Sequence, residues 1–496
     1  MDATQKIDIP RTDFIGGSKR LLIGGKWRSA ASGKEFDTVN PATGEVIARL
    51  AEGDKTDIDE AVAAARRAFE GDWSRWTPYE RQRLLLRVHD VIEKNFDELA
   101  LLETLDMGAP LSRTKALKAF VSQAILFYAS QTRAASTEAA PTSFAGQFTA
   151  LKIKAPVGVV GGIIPWNAPL VSQWWILGPT LATGCTAVLK PAEDASLTAL
   201  RVAELLLDAG VPDGVINVVT GFGHGAGAAL AAHPDVDRVA FTGSTETGRK
   251  IVEASAGNMK RVQLELGGKS PDIVFADADL DIAVPGAAMA VYGNSGQICT
   301  AGTRLLVQRS IQEEFVSRLE EFSQTLRVGN GLDPLVNLGP LVSRKQLERV
   351  LSYIDIGGQE GASLASGGKR LTGELEAGYF VEPTIFSGVN NDMRIAREEI
   401  FGPVISVIPF DDANDAIKIA NDTNYGLAGG VWTKSLSTAH QMAQRIKAGT
   451  IWVNCYGALD PGIGFGGYKM SGYGWKGGPE HVDGFLYEKV VYMNIG

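Results

Sequence analysis

Cys299 has the side chain best suited to covalent chemistry, and it lies in the glycine-rich segment 293–304. A thiolate attacks carbonyl carbon, but a free thiol has a pKa of about 8.5 and is mostly protonated near neutral pH. Glycines at positions 293, 296 and 302 permit unusual backbone conformations and close approach of a ligand. A helix N-terminus beside the sulfur would lower its pKa. The alternative is a buried, inert cysteine, which is our interpretation of Cys185 and Cys455.

Glu265 and Asn167 are polar residues next to apolar, strand-like runs. Glu265 alternates with Leu264 and Leu266, so a strand would place the carboxylate on one face and both leucines on the other. A partly buried carboxylate has a raised pKa and can act as a general base; a solvated strand face is the alternative. Asn167 lies between two prolines in the stiff segment 164–169. Its amide N–H groups could stabilise an oxyanion, and a purely structural turn is the alternative.

Three segments suit the binding of a nucleotide. Segment 241–248 follows a strand-like run and is predicted to open a helix, where backbone N–H groups and the hydroxyls of Ser244 and Thr245 could hold a pyrophosphate. Segment 221–226 formally matches a dinucleotide fingerprint, but glycine is frequent in this chain, with 57 residues, so we prefer the first segment. Segment 190–193 ends in a glutamate that could bind a ribose diol and would repel a 2′-phosphate.

Composition narrows the class of protein. The net charge is −9 and no long run of Lys or Arg occurs, which argues against a nucleic-acid partner. Apolar stretches are interrupted before they reach membrane-spanning length, and residues 1–10 lack the apolar region of a signal peptide. The three cysteines and five histidines are scattered, so we predict no disulfide framework and no metal site. A cytoplasmic enzyme is the resulting expectation.

Elements that must position these residues alternate between strand and helix, which predicts βαβ units and a mostly parallel sheet. The predicted strands are 21–27, 156–164, 187–190, 215–220, 238–242, 272–275, 304–307, 405–409 and 451–454. The predicted helices are 57–69, 78–103, 116–135, 196–209, 313–326 and 413–421. Two successive α/β regions are expected to join near Glu265. Segments 147–154 and 487–494 alternate in the manner of edge strands, which often pair with a neighbouring subunit.

Taken together, these segments resemble the aldehyde dehydrogenase superfamily over about residues 23–487. The shared motifs are at 165–167, 190–193, 241–248, 264–269, 296–299, 398–404 and 465–472. The resemblance implies an α/β fold with two Rossmann-like parallel-sheet domains and a small β element for oligomerisation. Its expected boundaries are 1–133 and 156–264 for the NAD-binding domain, 265–475 for the catalytic domain, and 134–155 with 476–496 for the bridging element. A homodimer or homotetramer is expected.

The resemblance also implies a role for each motif. Cys299 is the nucleophile, Glu265 is the general base, and Asn167 forms the oxyanion hole with the Cys299 backbone N–H. An aldehyde is attacked, hydride passes to NAD, and water activated by Glu265 hydrolyses the thioester; NADP is less favoured, and no metal is required. The expected cofactor-binding residues are Ile164, Pro165, Trp166, Lys190, Glu193, Gly223, Gly243, Ser244, Leu266, Glu399 and Phe401.

Some positions depart from the family pattern. Trp475 and Lys476 stand where many relatives have Arg-Glu, and Ala168, Ser172 and Gly293 replace larger residues of several relatives. We expect a wide, mainly apolar substrate entrance lined by Ala168, Ser172, Trp175, Met289, Gly293, Ile298, Thr300, Leu459 and Phe465. This predicts a bulky hydrophobic or aromatic aldehyde. The alternatives are a small aliphatic aldehyde or a semialdehyde, and, in another class, a Cys-dependent acyl or thioester hydrolase.

Overall fold

The computed structural model describes residues 12–496. The prediction that residues 1–10 are not a signal peptide lies outside this range. Among the described residues, no helix combines the length and the apolar composition needed to cross a membrane.

The strands fall into four sheets. In chain order they are β1 (Ser18–Lys19), β2 (Leu21–Ile23), β3 (Lys26–Arg28), β4 (Glu35–Val39), β5 (Val46–Ala51), β6 (Thr137–Ala140), β7 (Phe148–Pro156), β8 (Val159–Ile164), β9 (Thr186–Pro191), β10 (Ile216–Val218), β11 (Arg238–Thr242), β12 (Arg261–Glu265), β13 (Pro271–Val274), β14 (Arg304–Gln308), β15 (Ser363–Ser366), β16 (Thr384–Ser387), β17 (Val404–Phe410), β18 (Ala428–Trp432), β19 (Thr450–Val453), β20 (Gly472–Tyr473) and β21 (Leu486–Asn494).

The α-helices lie mainly between these strands. They are α1 (Lys55–Glu70), α2 (Pro78–Lys94), α3 (Phe96–Met107), α4 (Leu111–Ala116), α5 (Lys118–Ser130), α6 (Pro169–Ser172), α7 (Trp174–Thr183), α8 (Leu197–Asp208), α9 (Ala228–Ala232), α10 (Thr245–Ser255), α11 (Leu280–Tyr292), α12 (Gln312–Thr325), α13 (Arg344–Gln359), α14 (Arg394–Arg397), α15 (Ala413–Asn421), α16 (Leu436–Arg445) and α17 (Gly478–Asp483).

An eight-stranded sheet has the order β20-β12-β11-β8-β9-β10-β2-β3. Its five central strands are parallel, and the strands at both edges are antiparallel. The predicted single strand 21–27 is wrong: the segment forms the hairpin of β2 and β3. Gly24 and Gly25 have φ values of 60° and 76°, the left-handed conformation that a tight hairpin turn requires.

A seven-stranded sheet has the order β15-β16-β17-β14-β13-β18-β19 and is parallel except for the edge strand β15. Two parallel-stranded sheets, each covered by helices, confirm the predicted α/β class. Two small sheets complete the described chain, β1-β5-β4 and β21-β7-β6. In the latter, β7 and β21 pair antiparallel along nine residues, so the two segments predicted as edge strands lie beside each other.

One predicted helix is divided in the structure. The expected helix 78–103 separates into α2 and α3 at Asn95, whose φ and ψ of −103° and 10° leave the helical region. The Asn95 side chain donates to the Val91 carbonyl (2.7 Å) and so competes with the backbone hydrogen bonds of the helix.

The carboxyl ends of the central parallel strands carry the polar motifs. β8 and β9 are buried along their whole length and lead into Asn167 and into Lys190–Glu193, respectively. β11 leads into Ser244, and β12 ends at Glu265. Because neighbouring parallel strands end at the same edge of a sheet, these side chains share one crevice.

Candidate active site

Cys299 lies in a turn between the short 3₁₀ helix 293–296 and β14, and it is half-buried. Asn294 and Ser295 have φ values of 52° and 55°, a costly conformation for residues other than glycine and one that is concentrated at functional sites. Residues 299–303 form a turn that leads into β14, so no helix begins directly after Cys299. Burial raises the pKa of Cys299 to about 11, opposed by Lys476 and reinforced by Glu399 and Glu265.

Glu265 is buried, with 3 % of its surface exposed, which excludes a solvated strand face. Among the described residues, neither carboxylate oxygen has a hydrogen-bond partner. Burial raises its pKa to about 8, and the charge of Lys476 acts in the opposite direction. An unpartnered carboxylate with this pKa can accept a proton near neutral pH.

Asn167 and Cys299 belong to segments that are tied together by hydrogen bonds. The Asn167 side chain donates to the Gln297 carbonyl (2.9 Å), and the Asn294 side chain donates to the Asn167 carbonyl (3.0 Å). The motif after β12 meets the same loop, because a Cβ on Gly268 would lie only 2.5 Å from the Cys299 carbonyl oxygen. The structure therefore brings Cys299, Asn167 and the segment of Glu265 together from three parts of the chain.

The predicted ribose-binding pair lies at the end of β9. The Lys190 ammonium, almost fully buried, lies 2.9 Å from the Glu193 carboxylate. Burial raises the pKa of Glu193, but Lys190 and the backbone N–H groups of Glu193 and Gly223 outweigh this effect and lower it below its usual value. Glu193 is therefore ionised at neutral pH and keeps an acceptor at this edge of the sheet.

Segment 243–248 has the predicted form of a strand followed by a helix start. Ser244 is the N-cap of α10, and its hydroxyl accepts from the Thr247 N–H (3.2 Å). The Gly243 N–H donates to the Glu265 carbonyl (3.1 Å), which joins this loop to the end of β12, and Leu266 continues from there as a buried residue. Gly223 instead begins a short π-helical turn, 223–227.

The second sheet region contributes Glu399 and Phe401 to the same crevice. Glu399 accepts from the Gly268 N–H (3.1 Å), and burial raises its pKa to about 7 despite that bond. Phe401 has a φ of 63°. Its ring packs edge-to-face against the Trp166 ring, with 5.3 Å between the ring centroids. Ile164 is the last residue of β8, and Pro165 and Trp166 follow it directly, so the two sheet regions face each other across this contact.

The residues predicted to line the substrate entrance differ in their exposure to solvent. Ala168 and Ser172 stand one turn apart, because the Ser172 N–H donates to the Ala168 carbonyl (2.8 Å). Met289 and Leu459 are 40 % and 46 % exposed, whereas Trp175 is only 8 % exposed.

The other predicted lining residues have defined contacts with neighbouring segments. A Cβ on Gly293 would lie 3.4 Å from the Ile298 side chain. The Thr300 carbonyl accepts from the Tyr456 hydroxyl (2.7 Å), and the Phe465 N–H donates to the Lys476 carbonyl (2.7 Å).

Two cationic residues at the site were not predicted from the sequence. Arg113 of α4 lies beside Gly293, with its guanidinium 3.8 Å from the position of a Cβ on that glycine. Within residues 12–496 this guanidinium forms no side-chain hydrogen bond and no ion pair. Lys476 is buried and donates to the Thr242 hydroxyl (2.8 Å). Local sequence patterns contain no signal for either contact, since each joins segments far apart in the chain.

The fold and the site define a Rossmann-type α/β enzyme in which a cysteine and a buried carboxylate face a nucleotide-type crevice. The sequence profile of the aldehyde dehydrogenase family matches residues 27–491, and the chain belongs to that family. This confirms the resemblance and the enzyme class predicted from the sequence.

Similar proteins cover nearly the whole chain. The mitochondrial aldehyde dehydrogenase of Homo sapiens is 46 % identical over 99 % of this chain and 95 % of its own. The mitochondrial benzaldehyde dehydrogenase of Antirrhinum majus is 46 % identical over 95 % of this chain and 88 % of its own. The structure of P. syringae AldA indole-3-acetaldehyde dehydrogenase, in complex with NAD+ and IAA, superposes with a TM-score of 0.93 at 47 % identity, covering 96 % of this chain and 97 % of that one.

Proposed function

We propose that this enzyme uses NAD to oxidise an aldehyde to the carboxylic acid, through a thiohemiacetal and then a thioester on Cys299. The observation that carries the proposal is the meeting of Cys299, Asn167 and the Glu265 segment, with the Glu265 carboxylate buried and without a hydrogen-bond partner. The aldehyde dehydrogenase relatives support the reaction type.

Each of these residues has one task in the proposed reaction. In its thiolate form, the Cys299 sulfur forms a bond to the carbonyl carbon, and the electron pair of the C=O bond moves to oxygen. Asn167 has a second amide N–H besides the one given to Gln297, and with the Cys299 backbone N–H it stabilises that oxyanion. Glu265 later takes a proton from the water that attacks the thioester, and the C–S bond breaks to release the acid and the Cys299 thiolate.

The residues of the crevice fit NAD. Lys190 and Glu193 are held for a ribose diol, the start of α10 at Ser244 offers backbone N–H groups to a pyrophosphate, and Glu399 is held at the Cys299 side. We assign Ile164, Pro165, Trp166, Gly223, Gly243, Leu266 and Phe401 to the same site. NAD, when bound, supplies the acceptor for the hydride that leaves the substrate carbon. The ionised Glu193 favours NAD over NADP, because it repels a 2′-phosphate.

For the substrate we propose a bulky hydrophobic or aromatic aldehyde. Ala168 and Ser172 have small side chains and Gly293 has none, which supports a wide entrance, and Met289 and Leu459 expose apolar surface. Relatives named for benzaldehyde and indole-3-acetaldehyde agree with this proposal.

A carboxylate-bearing semialdehyde is the second candidate, and Arg113 is the observation that favours it. A guanidinium without a partner near Gly293 could bind the distal carboxylate of such a substrate through two hydrogen bonds. In the variant Arg113→Leu, kcat/KM for a semialdehyde would then fall by about tenfold or more, whereas that for benzaldehyde would not.

The test is an NADH-formation assay over a panel of aromatic, small aliphatic and carboxylate-bearing aldehydes, with NAD and with NADP. Cys299→Ala should abolish NADH formation, and Cys455→Ser, which alters an exposed cysteine, is the matched control. Higher kcat/KM for acetaldehyde than for benzaldehyde rejects the proposed substrate class. Thioester hydrolysis without any NAD binding would instead identify an acyl hydrolase.

We further propose the domain boundaries 1–133 with 156–264, 265–475, and 134–155 with 476–496. The sheet β21-β7-β6 contains strands of the third unit, and we propose that it bridges subunits of a homodimer or homotetramer. Light scattering on the full chain measures the oligomeric state, and a monomer would reject this part of the proposal. The scattered cysteines favour the cytoplasm as the compartment.

A further inference from the structure

Lys476 is held firmly beside the strand that ends at Glu265. Gly472, in β20, pairs with Glu265, and the Gln263 side chain donates to the Trp475 carbonyl (2.6 Å). The backbone of Lys476 itself forms two reciprocal hydrogen bonds with Phe465, each 2.7 Å long. This segment therefore has little freedom to move the lysine away from β12.

The Lys476 side chain points along the carboxyl edge of the sheet. It is 9 % exposed, and its ammonium donates to the Thr242 hydroxyl (2.8 Å). Thr242 and Glu265 are directly paired on the adjacent parallel strands β11 and β12, so their Cα atoms are about 5 Å apart. One hydroxyl satisfies only one of the three N–H groups of an ammonium. The remaining positive charge lies at the same edge of the sheet as the Glu265 carboxylate, more than 4.0 Å from it, and the two carboxylate oxygens lack hydrogen-bond partners in residues 12–496.

Charges around this lysine agree with the geometry. Burial lowers the pKa of Lys476, while Glu265 and Cys299 both act to raise it. In return, Lys476 opposes the burial that raises the pKa of Glu265 and of Cys299. The other titratable groups nearby are Glu399, which acts on Cys299, and the buried His481, whose pKa is lowered by burial, by Arg238 and by Lys476.

We propose that Lys476 is a positioning residue of this enzyme, the buried counter-ion that allows Glu265 and Cys299 to carry negative charge inside the site. The proposal rests on the proposed function, in which those two groups are the base and the nucleophile. It concerns the position at which the sequence departs from the pattern of many relatives. A buried anion without a counter-ion is costly, so a cation fixed at the edge of the sheet by Thr242 favours the Glu265 carboxylate. Because the segment after Glu265 meets the Cys299 loop at Gly268, the same cation also favours the Cys299 thiolate.

The main test measures the reactivity of the Cys299 thiol without any substrate or cofactor. The full-length protein is treated with iodoacetamide between pH 6 and pH 11, and the rate is followed on the peptide that contains Cys299 by mass spectrometry. In Lys476→Met the apparent pKa of Cys299 should rise by about one pH unit. At any fixed pH below that pKa, alkylation should then be about tenfold slower than in the wild type. Lys476→Arg, which keeps the charge, should restore most of the rate.

Lys260→Met is the matched control. Lys260 is also buried (7 % exposed), and its ammonium donates to the Ala231 carbonyl (2.7 Å). It precedes β12 at the end opposite Glu265, about 16 Å along the strand. An unchanged pH profile in Lys476→Met, or an equal shift in Lys260→Met, overturns the proposal. Should Lys476→Met lose its native circular dichroism, Lys476→Gln is measured in its place, with the same two outcomes.

A second readout separates this inference from the proposed function. The acid limb of the kcat/KM profile for aldehyde oxidation should move to higher pH in Lys476→Met and stay in place in Lys260→Met. NADH formation that survives in Cys299→Ala would reject the proposed function, whereas the alkylation profile would still report the action of Lys476 on Cys299. The two failures are therefore distinguishable.

Discussion

Replacing Glu265 by glutamine removes the proposed base and leaves a side chain of nearly the same shape. A positioned general base contributes about 10²- to 10⁴-fold to a proton transfer, so hydrolysis of the thioester in Glu265→Gln should slow by about that factor. Attack by Cys299 and hydride loss precede that step. The variant should therefore form one equivalent of NADH per active site in a fast burst and then turn over slowly.

Stopped-flow absorbance of NADH measures both phases, and intact-protein mass spectrometry detects the acyl group retained on Cys299. Glu265→Asp is the matched variant, since it keeps a carboxylate but shortens the reach, and it should recover part of the steady-state rate. The assignment of Glu265 to thioester hydrolysis would be refuted by a steady-state rate equal to that of the wild type. It would also be refuted if the variant lost both the NADH burst and the slow turnover.

The same substitution has a consequence for stability that does not depend on catalysis. The rise of the Glu265 pKa from 4.5 to about 8 corresponds to about 5 kcal/mol at 1.36 kcal/mol per pKa unit. Because the folded state binds this proton more tightly than the unfolded state, the contribution of Glu265 to stability is fully present below pH 4.5 and is lost as the pH rises towards 8. Glu265→Gln lacks this loss. The melting temperature of the variant minus that of the wild type should therefore be larger at pH 9 than at pH 5. An equal difference at the two pH values would contradict the burial argument.

Three further outcomes are expected. Gly268→Ala should lower kcat by about 10²-fold while the fold is retained, because its Cβ would lie 2.5 Å from the Cys299 carbonyl oxygen and displace the nucleophile; circular dichroism and kinetics check this. Glu193→Gln should raise the ratio of kcat/KM for NADP to that for NAD by about tenfold, since the charge that repels a 2′-phosphate is gone. Alkylation of wild-type Cys299 should accelerate about tenfold per pH unit from pH 7 to pH 9, because its pKa is raised to about 11; a plateau below pH 9 would show an ionised thiol instead.

Local sequence patterns predicted the strand β11 and the helix α15 with their observed bounds, and placed polar motifs at the ends of strands. These predictions succeeded because alternation and helical periodicity are properties of neighbouring residues, and parallel strands share one edge. The same rules failed for the hairpin of β2 and β3 and for the division at Asn95. There, two glycines with positive φ and one side-chain hydrogen bond outweighed the apolar pattern.

By itself, the sequence determined the family, the α/β class and the identity of Cys299, Glu265 and Asn167 as candidate catalytic residues. The order and spacing of the motifs are properties of the sequence, so these conclusions need no structure. Only the tertiary structure decided how these groups ionise. The thiol pKa is raised because the Cys299 side chain is desolvated by burial and because Glu399 and Glu265 add negative charge nearby. The structure also decided which cations reach the site, Lys476 beside Glu265 and Arg113 beside Gly293. Burial and charge depend on segments that are distant in the chain, and no local pattern encodes their distances.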